Sequence, residues 1–142
     1  MQIENSTVLI TGANRGIGLA FAKAFLARGA HKVYAGARDP SKISMAGVTP
    51  IQLDVNSVSD VQAAAQLAKD VTIVVNNAGI ANLGSFMAED AEAALRNHLE
   101  TNVLGPLRVS RAFAPVLALN GGGALINVAS IASWITSPLL AS

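Results

Sequence analysis

The chain has 142 residues, of which 51% are apolar, 4% aromatic and 13% charged; the length suits one domain with its own core, and so apolar a composition suits a sheet covered on both faces. A net charge of +1 with no Lys/Arg cluster argues against electrostatic binding of nucleic acid, which needs a basic patch. The absence of cysteine removes disulfides and thiolate metal sites and is compatible with the cytosol.

The N-terminal residues, Met1 to Asn5, have neither the basic stretch nor the apolar run of a signal peptide, so a cytoplasmic location is expected. Residues 6–10 read as a first strand. Residues 17–28 read as a helix with Ile17, Ala20, Phe21, Ala24 and Phe25 on its apolar face, stopped by Gly29. Strands follow at 32–36 and 50–53, a second helix at 58–69, and a fourth strand with a fully apolar centre at 72–75. Residues 88–119 read as helical, with a bend or break near Gly105 and Pro106. A fifth strand is expected at 124–128. No uncharged apolar run reaches the roughly 18 residues of a membrane span; residues 121–142 are broken by glycines, Asn127 and Pro138. The alternation of short strands with Ala-rich helices implies a three-layer α/β fold with a parallel sheet and right-handed crossovers, as a single domain over 1–142.

Between the first strand and the first helix lies Thr11-Gly12-Ala13-Asn14-Arg15-Gly16-Ile17-Gly18. A pyrophosphate needs close approach of backbone and N–H groups aimed at it, and side chains at Gly12, Gly16 or Gly18 would obstruct that approach or the packing of helix on strand. A tight turn with no ligand would use the same glycines. The spacing, T-G-x-x-x-G-x-G, differs from the common G-x-G-x-x-G fingerprint.

Four further motifs stand in order behind it. Asp54-Val55 closes the third strand, Asn76-Asn77-Ala78-Gly79 follows the fourth, Asn102 lies within the long helix, and Asn127-Val-Ala-Ser130 ends the fifth strand. Taken singly, Asp54 could cap a helix and Asn76 could brace a turn. Taken together, the five motifs resemble the short-chain dehydrogenase/reductase family over essentially the whole chain. The resemblance implies a Rossmann-type doubly wound sheet, incomplete here at its C-terminal side, and a dinucleotide at the switch point between the first and fourth strands. It implies cofactor contacts from Thr11, Gly12, Asn14, Arg15, Gly16, Ile17, Gly18, Asp54, Val55, Asn76, Asn77, Ala78 and Gly79. It also implies that Ser130 orients a substrate oxygen and that Asn102 supports a water relay. Partners are then a small carbonyl or alcohol substrate and further copies of the whole protein, as a homodimer or homotetramer.

The second strand ends Ala37-Arg38. A carboxylate at the position of Ala37 would bind both ribose hydroxyls of NAD and repel a 2′-phosphate. Alanine does neither, while Arg38 offers a charge-assisted partner, with Arg15 adding charge from the glycine turn. NADP is therefore expected over NAD; the alternative leaves both arginines solvated. A one-residue shift would make Asp39 the ribose ligand, but its place before Pro40 suits a helix N-cap better. Ser133 and Ser137 compete with Ser130 but are read as loop residues, and His98 as a surface or packing histidine. A non-catalytic dinucleotide-binding protein of the same fold is the competing reading. A methyltransferase would share the glycine turn but leaves Asn76-Asn77-Ala78-Gly79 and Ser130 unexplained.

The family's proton-donating tyrosine and the lysine four residues after it are expected just past Ser142. The single tyrosine of the chain is Tyr34, on the second strand. These 142 residues expressed alone are therefore expected to show no carbonyl reduction, since a positioned proton donor contributes about 10²–10⁴ in rate. NADPH oxidation with a panel of aldehydes and ketones, run beside a form extended to the stop codon, checks this. Comparable turnover by the two would place the donor within the 142 residues.

Overall fold

The computed structural model describes residues 2–81, 85 and 87–130, so Ser133 and Ser137 lie outside the described residues. In chain order the elements are β1 Thr7–Thr11, α1 Gly16–Ala27, β2 Lys32–Ala37, a 3₁₀ turn Pro40–Lys42, β3 Thr49–Gln52, α2 Val58–Leu67, β4 Ile73–Asn76, α3 Ala91–Leu99, a π-helical turn Glu100–Leu104, α4 Gly105–Leu119 and β5 Ala124–Asn127. All strand pairs are parallel, in the order β3-β2-β1-β4-β5. The doubly wound sheet expected from the alternation is present, and the strand order reverses between β1 and β4.

Side chains alternate across the strands and so build two cores. Val8, Ile10, Val33, Ala35, Ile73 and Val75 face Ala22 and Phe25 of α1. Leu9, Tyr34, Leu53 and Val74 face Val61 of α2 and Val109, Phe113 and Leu117 of α4. The sheet is the middle of three layers, and every residue of β1 is buried.

The apolar face expected for α1 is corrected. Gly18, Ala22 and Phe25 are its buried residues, whereas Ile17 is 63% exposed and Ala20 is also exposed. The helical period is right but the face is rotated by about one residue. Nearly every position of α1 is apolar, so periodicity alone does not select a side. The small residues Gly18 and Ala22 let the helix axis approach the sheet, and that close approach decides.

The long helix is interrupted at Glu100–Leu104, directly before Gly105 and near the expected break. Pro106 lies in the first turn of α4, where a missing N–H costs little. The interruption is a wide turn that contains Asn102 and ends directly before Gly105 and Pro106.

At the end of the sheet where β2 begins, Lys32 Nζ donates to the Tyr34 hydroxyl at 2.6 Å, and that hydroxyl donates to Asp70 Oδ1 at 2.8 Å. Burial works against ionisation of Asp70, but the Tyr34 hydrogen bond, the Asp70 N–H and the Lys32 charge outweigh it and hold the carboxyl below its ordinary range. A depressed carboxyl contributes stability above its unfolded value, about 3.9, and loses it as pH falls through the folded value. The urea midpoint is expected to drop as pH falls through and below that value, and Asp70→Asn is expected to flatten this dependence. Melts at closely spaced pH values check it, and an unchanged slope in the variant would remove Asp70 from the acid response.

Candidate functional site

The turn after β1 gets its shape from glycine. Gly12 and Gly16 take positive φ, +66° and +54°, which favours a residue without a β-carbon. A β-carbon at Gly18 would overlap the Gly12 carbonyl oxygen and lie 2.5 Å from Asn77 Nδ2, and one at Gly12 would lie 3.0 Å from Ala78 Cα. The first turn of α1 therefore sits directly against the ends of β1 and β4. A β-carbon at Gly16, by contrast, would meet nothing within 4 Å. No side chain caps α1, and its first turn holds no acidic residue. Uncapped N–H groups at the positive end of a helix dipole, opening onto free space, suit a phosphate. Asn14 is half-buried in this turn, with Arg15 and Ile17 exposed beside it.

The polar side chains nearest the turn are used within the protein. The Thr11 hydroxyl accepts from Asn77 N at 3.0 Å and Ala78 N at 2.9 Å, and it donates to the Val75 carbonyl at 3.4 Å. Asn77 Nδ2 donates to the Thr11 carbonyl at 2.9 Å. Asn76 is 3% exposed and donates to Asn127 Oδ1 at 2.9 Å and Ser110 Oγ at 3.1 Å. The side chains of Thr11 and Asn77 thus hold the turn from behind, while that of Asn76 is directed to β5 and α4.

Around the rim, Arg38 is exposed immediately after β2, while Ala37 is buried. Asp39 caps the 3₁₀ turn, accepting from Ser41 N at 3.1 Å, and lies 3.4 Å from Lys42 Nζ. Its carboxyl is held low, first by Ser41 and also by Lys42. The N-cap reading of Asp39 is the one the structure follows. Asp54 accepts from Asn56 N at 3.0 Å, and the cap of α2 is Ser57. Val55 is buried where α4 begins, because a β-carbon at Gly105 would lie 2.9 Å from its Cγ2. Val55 and Asp54 thereby stand beside β2 and β3 on the same sheet edge as Arg38.

Asn102 sits in the π-helical turn, a feature common at functional sites. Its Oδ1 accepts from Ile80 N and its Nδ2 donates to the Ile80 carbonyl, both at 2.9 Å. The carboxamide is therefore engaged with the strand-end segment after Gly79, and its side chain braces that segment. Ser130 is exposed, three residues beyond the end of β5. His98 lies 2.8 Å from the Ala94 carbonyl, a contact within its own helix.

Sequence reasoning missed Ser110, Ile80 and the pairing partner role of Asn127. Ser110 had one available signal, a polar residue beside Val109 and Phe113 on the buried stripe of α4. Ile80 had none, since it takes part through its backbone. Thr11→Val is expected to keep the shape but leave the Asn77 and Ala78 N–H groups without their acceptor, at about 1–3 kcal/mol for each buried unpaired group. Urea unfolding checks this; a midpoint equal to wild type would mean that water satisfies both groups.

The model of the short chain dehydrogenase family matches residues 6–142. An uncharacterised oxidoreductase of Schizosaccharomyces pombe is 33% identical, over 99% of this chain and 50% of its own length. A galactitol 2-dehydrogenase of Cereibacter sphaeroides is 34% identical, over 96% of this chain and 57% of its own. A short-chain dehydrogenase of Burkholderia cenocepacia, solved in complex with NADP, superposes with a TM-score of 0.91 at 44% identity, covering 99% of this chain and 60% of that one. The chain thus spans about half the length of the curated relatives it matches. With the glycine turn, the strand-end asparagines and the sheet order all in the family's arrangement, the chain belongs to the short-chain dehydrogenase family.

Proposed function

We propose that the whole protein is an NADP-dependent oxidoreductase acting on a small carbonyl/alcohol pair. The observation that carries this reading is the uncapped, glycine-lined N-terminus of α1 at the switch point of the sheet, with Arg38 at the end of the neighbouring strand. Hydride is the chemistry that a bound nicotinamide supplies. The N–H groups of the first turn of α1 bind the pyrophosphate. Gly12, Gly16 and Gly18 keep that approach open. Arg38, with Arg15 nearby in sequence on the glycine turn, holds the 2′-phosphate, while Ala37 leaves the position of a repelling carboxylate empty of charge. Asp54 and Val55 border the adenine end. Ser130 donates its hydroxyl proton to the substrate oxygen in a hydrogen bond and so orients it. Asn102 contributes by bracing the Ile80 segment, an indirect role given that both ends of its carboxamide are occupied. NADP in the Burkholderia relative supports the choice of dinucleotide.

The reading extends to assembly and location. Val103, Leu104 and Leu107, around the start of α4, are exposed, and these apolar side chains support self-association of the whole protein as a homodimer or homotetramer. Among the described residues no helix is long and apolar enough to cross a membrane, and a cytoplasmic location remains part of the proposal.

Arg38→Asp in the full-length protein is expected to weaken NADPH binding by about tenfold or more, the cost of losing one charge-assisted contact and adding repulsion, with NADH affected much less. Fluorescence titration with both cofactors checks it. Equal losses for the two would remove Arg38 from phosphate recognition.

A further inference from the structure

Among the described residues, Asn76 Oδ1 is a buried side-chain acceptor with no partner. Its residue is 3% exposed and ends β4. An apolar residue there would pack equally well and would avoid the cost of an unpaired buried acceptor, about 1–3 kcal/mol. What the carboxamide adds is direction, because hydrogen bonds constrain angle and distance as apolar contact does not. Its Nδ2 joins two elements: Asn127 Oδ1 on β5 at 2.9 Å and Ser110 Oγ on α4 at 3.1 Å. Asn76 and Asn127 are also register partners, and Val128 N donates to the Asn76 carbonyl at 2.9 Å.

Among the described residues, that knot stands three residues before Ser130. Among the described residues β5 pairs only with β4. Ser130 is exposed at the end of this segment. Ser110, in contrast, is carried on a rigid part of α4, between fully buried Val109 and Phe113. We infer that Ser110 and Asn127, acting through the Asn76 carboxamide, are positioning residues that set where the Ser130 hydroxyl stands. This rests on the reading of Ser130 as the group that orients the substrate oxygen.

The test uses the full-length protein with NADPH and a carbonyl that the wild type reduces. Ser110→Ala, Ser110→Thr and Asn127→Ala are compared, with Ser130→Ala marking the floor. Each is followed by kcat, by KM for NADPH, and by amide hydrogen exchange at residues 128–130 against residues 8–10. Ser110→Ala and Asn127→Ala are each expected to lower kcat by about tenfold or more, since small misplacements at a reacting centre are that costly. KM for NADPH should stay within about twofold. Exchange should quicken at 128–130 and stay unchanged at 8–10. Ser110→Thr, which keeps the hydroxyl, should restore both kcat and protection. If Ser110→Ala does not fold, Asn127→Ala and the threonine variant carry the same comparison. Wild-type kcat in Ser110→Ala and Asn127→Ala overturns the inference, as does faster exchange everywhere together with weaker NADPH binding, which marks general loosening. A wild type that oxidises no NADPH with any carbonyl overturns the proposed function instead. The exchange arm then decides the positional link alone, and unaltered protection at 128–130 in Ser110→Ala overturns it.

Discussion

The Thr11 hydroxyl accepts two main-chain N–H groups from the segment after β4 and donates back to β4 itself. β1 and β4 part at this point, and the polypeptide must leave them in different directions without stranding polar groups. The Thr11–Asn77 pair meets that demand, the hydroxyl for β4 and the carboxamide, donating to the Thr11 and Gly12 carbonyls, for β1. Because it does, the Gly12 turn can lie against Ala78, and Gly18 can bring α1 against the same junction. The main chain of the turn, with the exposed side chains of Arg15 and Ile17, then remains at the surface of the cradle. On the proposed reading, a bound anion meets N–H groups and a helix dipole, held in place by polar side chains turned inward.

The same principle recurs at each strand end along the edge. Asp39 caps the short turn after β2, Asp54 and Ser57 organise the step from β3 into α2, Asn102 clamps the segment after Gly79, and Asn76 ties β5 to α4. Asp39, Asp54, Ser57 and Asn102 satisfy backbone that a loop would otherwise leave open, whereas Asn76 joins side chains of β5 and α4. The π-helical turn belongs to this group. It carries Asn102, whose carboxamide pairs with both backbone groups of Ile80.

The opposite end of the sheet shows how the two ends divide their work. There Lys32, Tyr34 and Asp70 form a compact charged cluster, with the ammonium 4.4 Å from the tyrosine ring centroid. Tyrosine and lysine thus meet in this chain, but at the edge remote from the glycine turn, where they join β2 to the start of β4. Their proximity serves the sheet and does not replace the tyrosine and lysine that the family uses in catalysis.

Much of this was legible in the residues themselves. Short β-branched runs between Ala-rich stretches determined the number and order of the elements, because a strand buried on both faces must be apolar throughout and its crossover must be helical. The glycine spacing, Asn76-Asn77-Ala78-Gly79 and Ser130 marked the sheet edge on which the proposed function rests, since backbone approach and strand-end polarity leave local signatures. Other features depended on tertiary packing. Which face of α1 is buried could not be read, because an almost uniformly apolar helix has no strong preferred side until Gly18 and Ala22 permit close approach. The form of the interruption at Glu100–Leu104, a π-helical turn whose Asn102 pairs with Ile80, was not legible, because that partner lies more than twenty residues earlier in the chain. The inward use of Thr11 and Asn76, and the part played by Ser110, also emerged only in three dimensions. A side chain's hydrogen-bond partner is chosen by whatever the fold brings within about 3 Å, and sequence separation carries no record of that distance.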